Sequence, residues 1–114
     1  MSLSIVQLED KHPSEKVEYE FELSKISAFG KNADTLDQNA TWYIYDVDDT
    51  ATNLASTMVY AYDYSAAKDI IKCTVQGGTT GKSYYLVGKP TISATGRVYI
   101  VIGKFKVRNM GLAL

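Results

Sequence analysis

The feature that most constrains the fold is a stretch of three β-rich runs in the last third of the chain. The runs cover residues 70–76, 83–93 and 98–107. In the first run apolar and polar side chains alternate, which is typical of a strand with one buried face. A glycine-rich loop separates the first two runs, and a short turn containing Gly96 separates the last two, as in β-hairpins. We expect the three runs to form an antiparallel meander.

The cleanest alternation in the chain lies at residues 17–23. Four apolar side chains alternate there with Glu18, Glu20 and Glu22, so that one face is apolar and the other carries three carboxylates. A solvated strand face explains the glutamates most simply. An acidic patch that meets a basic partner is the alternative.

Two tyrosine-rich runs, 41–47 and 57–64, complete the predicted strands. In the first, Trp42 is predicted to anchor the core, while Tyr43 and Tyr45 point to the opposite side. The second run is predicted to place its large side chains on one face: Met58, Tyr60, Tyr62 and Tyr64.

The remaining segments indicate an all-β chain. Residues 24–40 are polar and are interpreted as a long loop with at most one short strand or turn, and only residues 53–57 and 65–69 have room for a turn of helix. Six to eight strands without βαβ alternation predict a β-sandwich or a small barrel, and we favour a single-domain, immunoglobulin-like antiparallel β-sandwich. Tyr84, shortly after Gly81, fits a tyrosine corner, and a simple inward strand residue is the alternative.

Alternation within the runs also predicts inward-facing side chains. These are Phe21, Leu23, Trp42, Ile71, Cys73, Val75 and Leu86. Cys73 is the only cysteine, which excludes an intrachain disulfide and fits folding in a reducing compartment. Its place in an alternating strand favours a small core residue over a reactive thiol.

Residue types that carry catalysis or bind metals are sparse. His12 is the only histidine, so a hydrolase triad or a histidine-based zinc site lacks partners. Asp46, Asp48 and Asp49 lack the spacing of a calcium-binding EF-hand, and a turn after a strand explains them. The glycine-rich segment 77–82 precedes a strand, whereas a phosphate-binding loop precedes a helix. We expect no enzymatic activity, no cofactor and no metal.

Charge and hydropathy narrow the classes of partner. The formal net charge of -1 gives no overall attraction to a polyanion. Basic residues cluster in the last third, where solvated strand positions and edge protection explain them better than a phosphate track. No apolar run approaches the ~18 residues that a membrane helix needs. We expect neither nucleic acid nor a membrane among the partners.

Four segments together resemble a family of small phage proteins. They are KHPSEKVEY at 11–19, ATW at 40–42, GGTTGKSYYL at 77–86 and TISATGRV at 91–98. With these segments the chain resembles small virion proteins of tailed bacteriophages of the fiber-tail adaptor type. It is also similar to the small cement or decoration proteins that clamp neighbouring capsid subunits. Residues 48–69 depart from the adaptor pattern, which leaves the choice between the two roles open.

The resemblance implies a non-enzymatic structural role in a virion. The expected function is that of an adaptor that joins larger virion proteins in the tail, fibre or portal region, and capsid decoration is the alternative. Many copies are expected, synthesised in the host cytoplasm and located in the virion. A carbohydrate- or host-surface-binding β-module is the second alternative, with these tyrosines stacking on sugar or a partner: Tyr43, Tyr45, Tyr60 and Tyr62.

The two ends of the chain are further candidate contacts. We divide the chain into an extended arm at residues 1–12, a sandwich domain at 13–108 and an apolar tail at 109–114. Apolar side chains of the two ends are predicted to bind a partner: Leu3, Ile5, Val6, Leu8, Met110, Leu112 and Leu114. Both ends are expected to become ordered only in the assembled particle, where the arm adds to a neighbouring sheet. The alternative is that one end folds back as an edge strand of its own sandwich.

Overall fold

The computed structural model of the chain describes residues 5–114, except for the side chains of Ser27 and Ala28. Within that part the chain is mostly β, as predicted. The strands are β1 (Ile5–Gln7), β2 (Val17–Glu22), β3 (Thr41–Asp46), β4 (Val59–Ser65), β5 (Ile70–Val75), β6 (Ser83–Lys89) and β7 (Val101–Lys106). The helical segments are a 3₁₀ turn (Leu23–Lys25), α1 (Ser27–Asn32) and α2 (Ala55–Met58).

The strands form two sheets that face each other. One has the order β1-β7-β6-β3 and the other β2-β5-β4. All neighbours are antiparallel except β1 and β7, which are parallel. The all-β prediction is therefore confirmed, while a purely antiparallel sandwich is not what forms.

The predicted meander is wrong for its first strand. β6 and β7 pair as a hairpin, but β5 lies in the opposite sheet between β2 and β4. The loop that leaves β5 contains Gly77, Gly78 and Gly81, all with positive φ, and it carries the chain across to the other sheet. A Cβ on Gly78 would lie 2.7 Å from a methyl group of Val107, so this crossing runs close against the core.

The hairpin of β6 and β7 is confirmed with shorter strands than predicted. The last pair of the hairpin joins Gly88 to Val101, and beyond it only an isolated bridge joins Thr91 to Val98. Pro90 interrupts the ladder because it has no backbone N–H to donate. The turn closes where Gly96 donates its N–H to the carbonyl of Ile92 at 2.7 Å.

Helix α1 lies in the segment interpreted as an irregular loop, so that interpretation is corrected. Two apolar side chains in and after α1, Phe29 and Leu36, are each 2% exposed. They lie seven residues apart with only Asn32 and Ala33 at the helical positions between them, so the periodic pattern is weak. Burial of the two side chains against the sheets stabilises a helix that local propensity alone does not. A turn of helix was correctly expected at residues 53–57, where α2 forms, whereas residues 65–69 form a turn.

The core fills the space between the sheets. All seven side chains predicted to be inward are buried, and Trp42 is 7% exposed. Aromatic rings meet across the gap: Phe21 and Trp42 have centroids 6.0 Å apart, and Tyr19 and Phe105 5.3 Å. Such tilted contacts add to the stabilisation from burial alone.

The common face predicted for the tyrosines of β4 is interrupted. A bulge between Val59 and Ala61 leaves Tyr60 without a partner in β5. Because the extra residue shifts the alternation, Tyr62 shares its side with Cys73 while Tyr60 is turned away. The prediction that Tyr60 and Tyr62 share a face is therefore wrong.

The N-terminal segment forms an edge strand. β1 pairs in parallel with β7, and a further bridge joins Lys11 to Val107. Gly103 of β7 leaves a space into which the Leu8 side chain packs. The described part of the arm thus folds back on its own sheet, which is the alternative to ordering only in a particle.

We predict that Trp42→Ala lowers the free energy of unfolding by ~3–5 kcal/mol, because it deletes a large buried aromatic side chain. Denaturant unfolding measures the change. Tyr62→Ala is the control, since Tyr62 is 56% exposed and its loss should change stability by less than about 0.5 kcal/mol. A Trp42 variant as stable as the parent would contradict the assigned core.

Gly88→Ala should destabilise the chain by ~1–3 kcal/mol through overpacking. A Cβ at Gly88 would lie 2.8 Å from the Trp42 ring and 2.9 Å from Val101. Gly30→Ala is the matched control, because nothing lies within 4 Å of its Cβ position and Gly30 is in a helix, where Ala is favoured by up to about 1 kcal/mol. Equal changes in melting temperature for Gly88→Ala and Gly30→Ala would contradict the packing argument.

Candidate functional site

The outer face of the four-stranded sheet carries three half-buried tyrosines, Tyr43, Tyr45 and Tyr85. Alternation in β3, β6 and β7 sends one set of side chains into the core and the other outward. We call the outward set the tyrosine platform and define it by these residues: Tyr43, Tyr45, Tyr85, Val87, Ile102 and Lys104, with Ile5 and Gln7 of β1 at its edge.

Strand register arranges the platform in two rows. Tyr43 pairs with Val87, Val87 with Ile102, and Ile102 with Ile5, which makes an apolar row across all four strands. The neighbouring row runs from Tyr45 through Tyr85 and Lys104 to Gln7. Side chains directly opposite each other on one face are close enough to contact. The platform is therefore a continuous surface.

Two rings of the platform are parallel. The rings of Tyr43 and Tyr45 have an interplanar angle of 5° and centroids 6.4 Å apart. Both side chains are half-buried, so their rings cover the sheet while the surface remains open to a partner. Tyrosine suits such a surface because its ring packs and its hydroxyl stays available for hydrogen bonding.

Charge on this side of the sheet has a single sign. Lys89, Lys104 and Lys106 point outward from β6 and β7, and the described outward positions of the four strands include no Asp or Glu. The platform combines aromatic rings with ammonium groups and hydroxyl donors. It is suited to a partner that presents acceptors such as carboxylates or sugar oxygens.

The four tyrosines predicted to bind a partner are not brought together. Tyr43 and Tyr45 lie on the platform. Tyr60 lies on the other side of the molecule, where the Lys16 Nζ is 3.8 Å from its ring centroid. Tyr62 lines a cleft at the edge of the sandwich.

Four of the six platform residues on β3, β6 and β7 were missed from the sequence: Tyr85, Val87, Ile102 and Lys104. Each alternates with a core residue, which placed it outward, but nothing in the local pattern shows that β3 and β6 are neighbours. Knowledge of strand order was the missing signal.

The cleft lies between β3 and β4, at the open edge of the sandwich. It encloses about 420 Å³ and is lined by Ala40, Thr41, Trp42, Ala55, Ser56, Val59 and Tyr62. The indole Nε1 of Trp42 is buried and has no hydrogen-bond partner among the described residues. Few polar groups converge on the cleft, so it offers less specificity than the platform.

The predicted end contacts lie on several surfaces. Leu3 is outside the described residues. Ile5 and Val6 are each 51% exposed, whereas Leu8 is partly buried against the core. The apolar side chains of the tail are exposed: Met110, Leu112 and Leu114. The tail is held by its backbone, since His12 Nε2 donates to the carbonyl of Leu112 at 2.9 Å and Ser14 Oγ to that of Leu114 at 3.2 Å.

The aspartate cluster after β3 forms a turn. Asp46 accepts the backbone N–H of Asp48 at 2.9 Å, and its other oxygen accepts from Lys82 at 2.7 Å. The hydrogen bond from Lys82 keeps the pKa of Asp46 below its ordinary value. Within residues 5–114 no three His, Cys, Asp or Glu side chains form a metal-binding group. Turn geometry thus accounts for these carboxylates.

A second polar cluster joins the α1 segment to the β6–β7 connection. Asp34 accepts from Arg97 at 2.8 Å and from the hydroxyl of Tyr99. Asp37 accepts from the backbone N–H of Ser93 at 3.0 Å and from its hydroxyl at 2.7 Å, and these bonds lower the pKa of Asp37. The carboxylates are occupied by neighbours in the chain, so the cluster fixes the two segments rather than offering free catalytic groups.

Cys73 and Lys11 are two buried residues of chemically reactive types. Burial raises the pKa of the Cys73 thiol to about 12, so the thiolate that reacts is disfavoured, as predicted for a core cysteine. Lys11 is 0% exposed, and its Nζ donates to the carbonyls of Gly77 at 2.7 Å and His12 at 2.8 Å. Enclosed in this way, the Lys11 amine ties the N-terminal segment to the glycine loop.

Comparisons with known proteins do not identify the chain. No family model, no curated protein and no solved structure matches it. None of the helices between Ile5 and Leu114 is both long and apolar enough to cross a membrane. The function is therefore inferred from the residues and their arrangement.

Lys11→Met should lower the free energy of unfolding by ~1–3 kcal/mol at pH 7, because it leaves buried carbonyls without a donor. Burial lowers the pKa of Lys11 from 10.5, so the folded chain releases that proton before the unfolded chain does. Wild-type stability relative to the variant should therefore increase as the pH rises through the interval just below 10.5.

Urea unfolding of both chains across this pH interval makes the comparison. Lys31→Met, at an exposed position of α1, is the control and should track the parent at every pH. A wild-type advantage over Lys11→Met that shrinks toward pH 10.5 would show that the amine is not disfavoured by burial.

Proposed function

We propose that the protein is a non-enzymatic binding protein that acts through the tyrosine platform, as an adaptor joining larger proteins of a tailed-bacteriophage particle. The platform is the observation that carries the binding role. The resemblance of segments 11–19, 40–42, 77–86 and 91–98 to fiber-tail adaptor proteins supports the virion role. Capsid decoration remains the alternative form of the same role.

The composition of the platform supports binding to a protein. Interface cores differ from ordinary surface by enrichment in aromatic residues and depletion of charged ones, which include Asp, Glu and Lys. The platform has three tyrosines, an apolar row and no acidic side chain at its described strand positions. Its side chains project from strands rather than from a loop, so little conformational entropy is lost on binding.

A structural role in many copies also suits the size of the surface. A single small domain buries a modest area against each neighbour, and repetition converts modest contacts into avidity. The exposed apolar tail is a second contact in this proposal, since Met110, Leu112 and Leu114 contribute little to the chain's own core.

We also propose that the sandwich is of the immunoglobulin-like type. The hydroxyl of Tyr84 accepts the backbone N–H of Thr79 at 2.8 Å, five residues upstream, while the ring is buried beside Phe105. A hydroxyl bonded to upstream backbone is the mark of a tyrosine corner. The parallel pairing of β1 with β7 is an addition to the predicted antiparallel arrangement.

A carbohydrate-binding module is the second candidate function. The parallel rings of Tyr43 and Tyr45 favour it, because sugar rings stack on flat aromatic surfaces. In this case the Lys104 ammonium and the tyrosine hydroxyls would hydrogen-bond the sugar oxygens.

The double variant Tyr43→Ala/Tyr85→Ala should enter particles at least tenfold less than the parent, since losing two interface aromatics costs upwards of ~1.4 kcal/mol, or a factor of ten. Phage carrying the variant gene are purified, and copies per particle are measured by quantitative mass spectrometry. Tyr60→Ala, on the other side of the sandwich, is the matched control and should incorporate normally.

Normal incorporation of a double variant that melts like the parent would remove the platform from the proposal. A glycan array separates the second candidate, because only a carbohydrate-binding module would bind a glycan and lose it in Tyr43→Ala. If the double variant fails to enter particles and the parent binds no glycan on the array, the adaptor function is favoured.

A further inference from the structure

The outer face of the three-stranded sheet is acidic. We define the acidic face by the outward charged side chains of β2, β4 and β5: Glu18, Glu20, Glu22, Asp63 and Lys72. Lys72 lies between Glu20 and Asp63 in the strand register, with its Nζ 3.8 Å from Glu20. Lys25 lies beside this face with its Nζ 3.6 Å from Glu22, and Lys16 lies over the Tyr60 ring on the same side. Four carboxylates against three ammonium groups leave this face with a small negative excess. The sequence offered two interpretations of its glutamates, a solvated face or a patch for a basic partner.

The two outer faces of the sandwich are therefore opposite in charge. The platform side carries Lys89, Lys104 and Lys106 without an acidic residue among its described strand positions. The strand positions of the acidic face carry four carboxylates against Lys72, with Lys16 and Lys25 beside them. A net charge of -1 for the whole chain conceals this separation. Opposite fields on opposite sides of one molecule orient copies front to back.

Hydrogen-bonding capacity is complementary as well. The hydroxyls of Tyr43, Tyr45 and Tyr85 and the lysine ammonium groups are donors, whereas the carboxylates of the acidic face are acceptors. Charge-assisted hydrogen bonds between such groups are stronger than bonds between neutral ones. The platform thus supplies hydrogen-bond donors and the acidic face supplies acceptors.

The dimensions allow the two faces to stack. The molecule measures 46 × 28 × 22 Å, and a sandwich of two sheets about 10 Å apart with outward side chains accounts for the shortest dimension.

We propose that copies of this chain associate front to back, with the tyrosine platform of one copy seated on the acidic face of the next. This inference rests on the proposed function, because it names a second copy as a partner of the same platform. The interface is heterologous, since the two surfaces differ, so a pair of copies keeps one free platform and one free acidic face. Association therefore continues to a ring or an open stack.

Charge reversal tests the pairing. Sedimentation velocity of the purified chain should show species larger than the monomer in about 0.01 M salt and mainly monomer in about 1 M salt, because the screening length falls from about 30 Å to about 3 Å. Lys104→Glu/Lys106→Glu reverses the platform, and Glu18→Lys/Glu20→Lys reverses the acidic face. Each should remain monomeric at low salt, and Lys31→Glu, outside both faces, should associate like the parent.

Mixtures give the sharpest outcome. In an equal mixture of the two reversed variants, every acidic surface of one variant meets a basic surface of the other, so association beyond the dimer should return although each variant alone stays monomeric. Combining all four substitutions in one chain exchanges the two charges and should restore association beyond the dimer. Circular dichroism and melting temperature check that every variant is folded.

Three results would overturn the proposal. The first is a wild-type chain that stays monomeric at low salt, and the second is association that persists when either face is reversed. The third is association that is lost only when the platform is reversed, which indicates a symmetric platform-to-platform dimer. If the chain is monomeric and its platform binds a glycan or an oligonucleotide, that ligand rather than a second copy of the chain occupies the platform. If copies fail to associate but particle incorporation still requires Tyr43 and Tyr85, the adaptor function stands and only the stacking is rejected.

Discussion

The structure depends on aromatic side chains that meet between the two sheets. Phe21 of one sheet contacts Trp42 of the other, and Tyr19 contacts Phe105 in the same way. These rings are large, and the sheets accommodate them because Gly88 puts no side chain beneath Trp42. Close packing at this density leaves little freedom in the relative position of the sheets.

The same constraint decides what lies on the surface. Because strand side chains alternate, each ring fixed inside sends its neighbours in the sequence outside. Trp42 and Ile44 are buried, so Tyr43 and Tyr45 are displayed; Tyr84 and Leu86 are buried, so Tyr85 and Val87 are displayed beside them. On β2, alternation with Tyr19 and Phe21 displays glutamates instead. The inner packing thus produces an aromatic, basic face and an acidic face.

Sequence reasoning was accurate where the cause is local. Alternation predicted the inward set from Phe21 to Leu86, and the turn propensity of aspartates placed after a strand predicted the turn at Asp46, Asp48 and Asp49. It failed where the structure depends on a contact between residues far apart in the sequence. Helix α1 forms because Phe29 and Leu36 find a place in the core, and Tyr60 leaves its predicted face because β4 bulges where it pairs with β5. Neither contact is visible in a short window of residues.

The sequence by itself determined the strands, their inward faces, the core position of Cys73 and the mostly β class, because these follow from a period-two pattern that each strand carries alone. Strand order was decided only by the tertiary structure. It placed β5 opposite β6, docked β1 in parallel against β7 over Gly103, and brought Tyr43, Val87 and Ile102 into one row. The physical reason is that pairing joins residues far apart in the chain, and the choice among partners is made by how side chains of both sheets fill one shared interior.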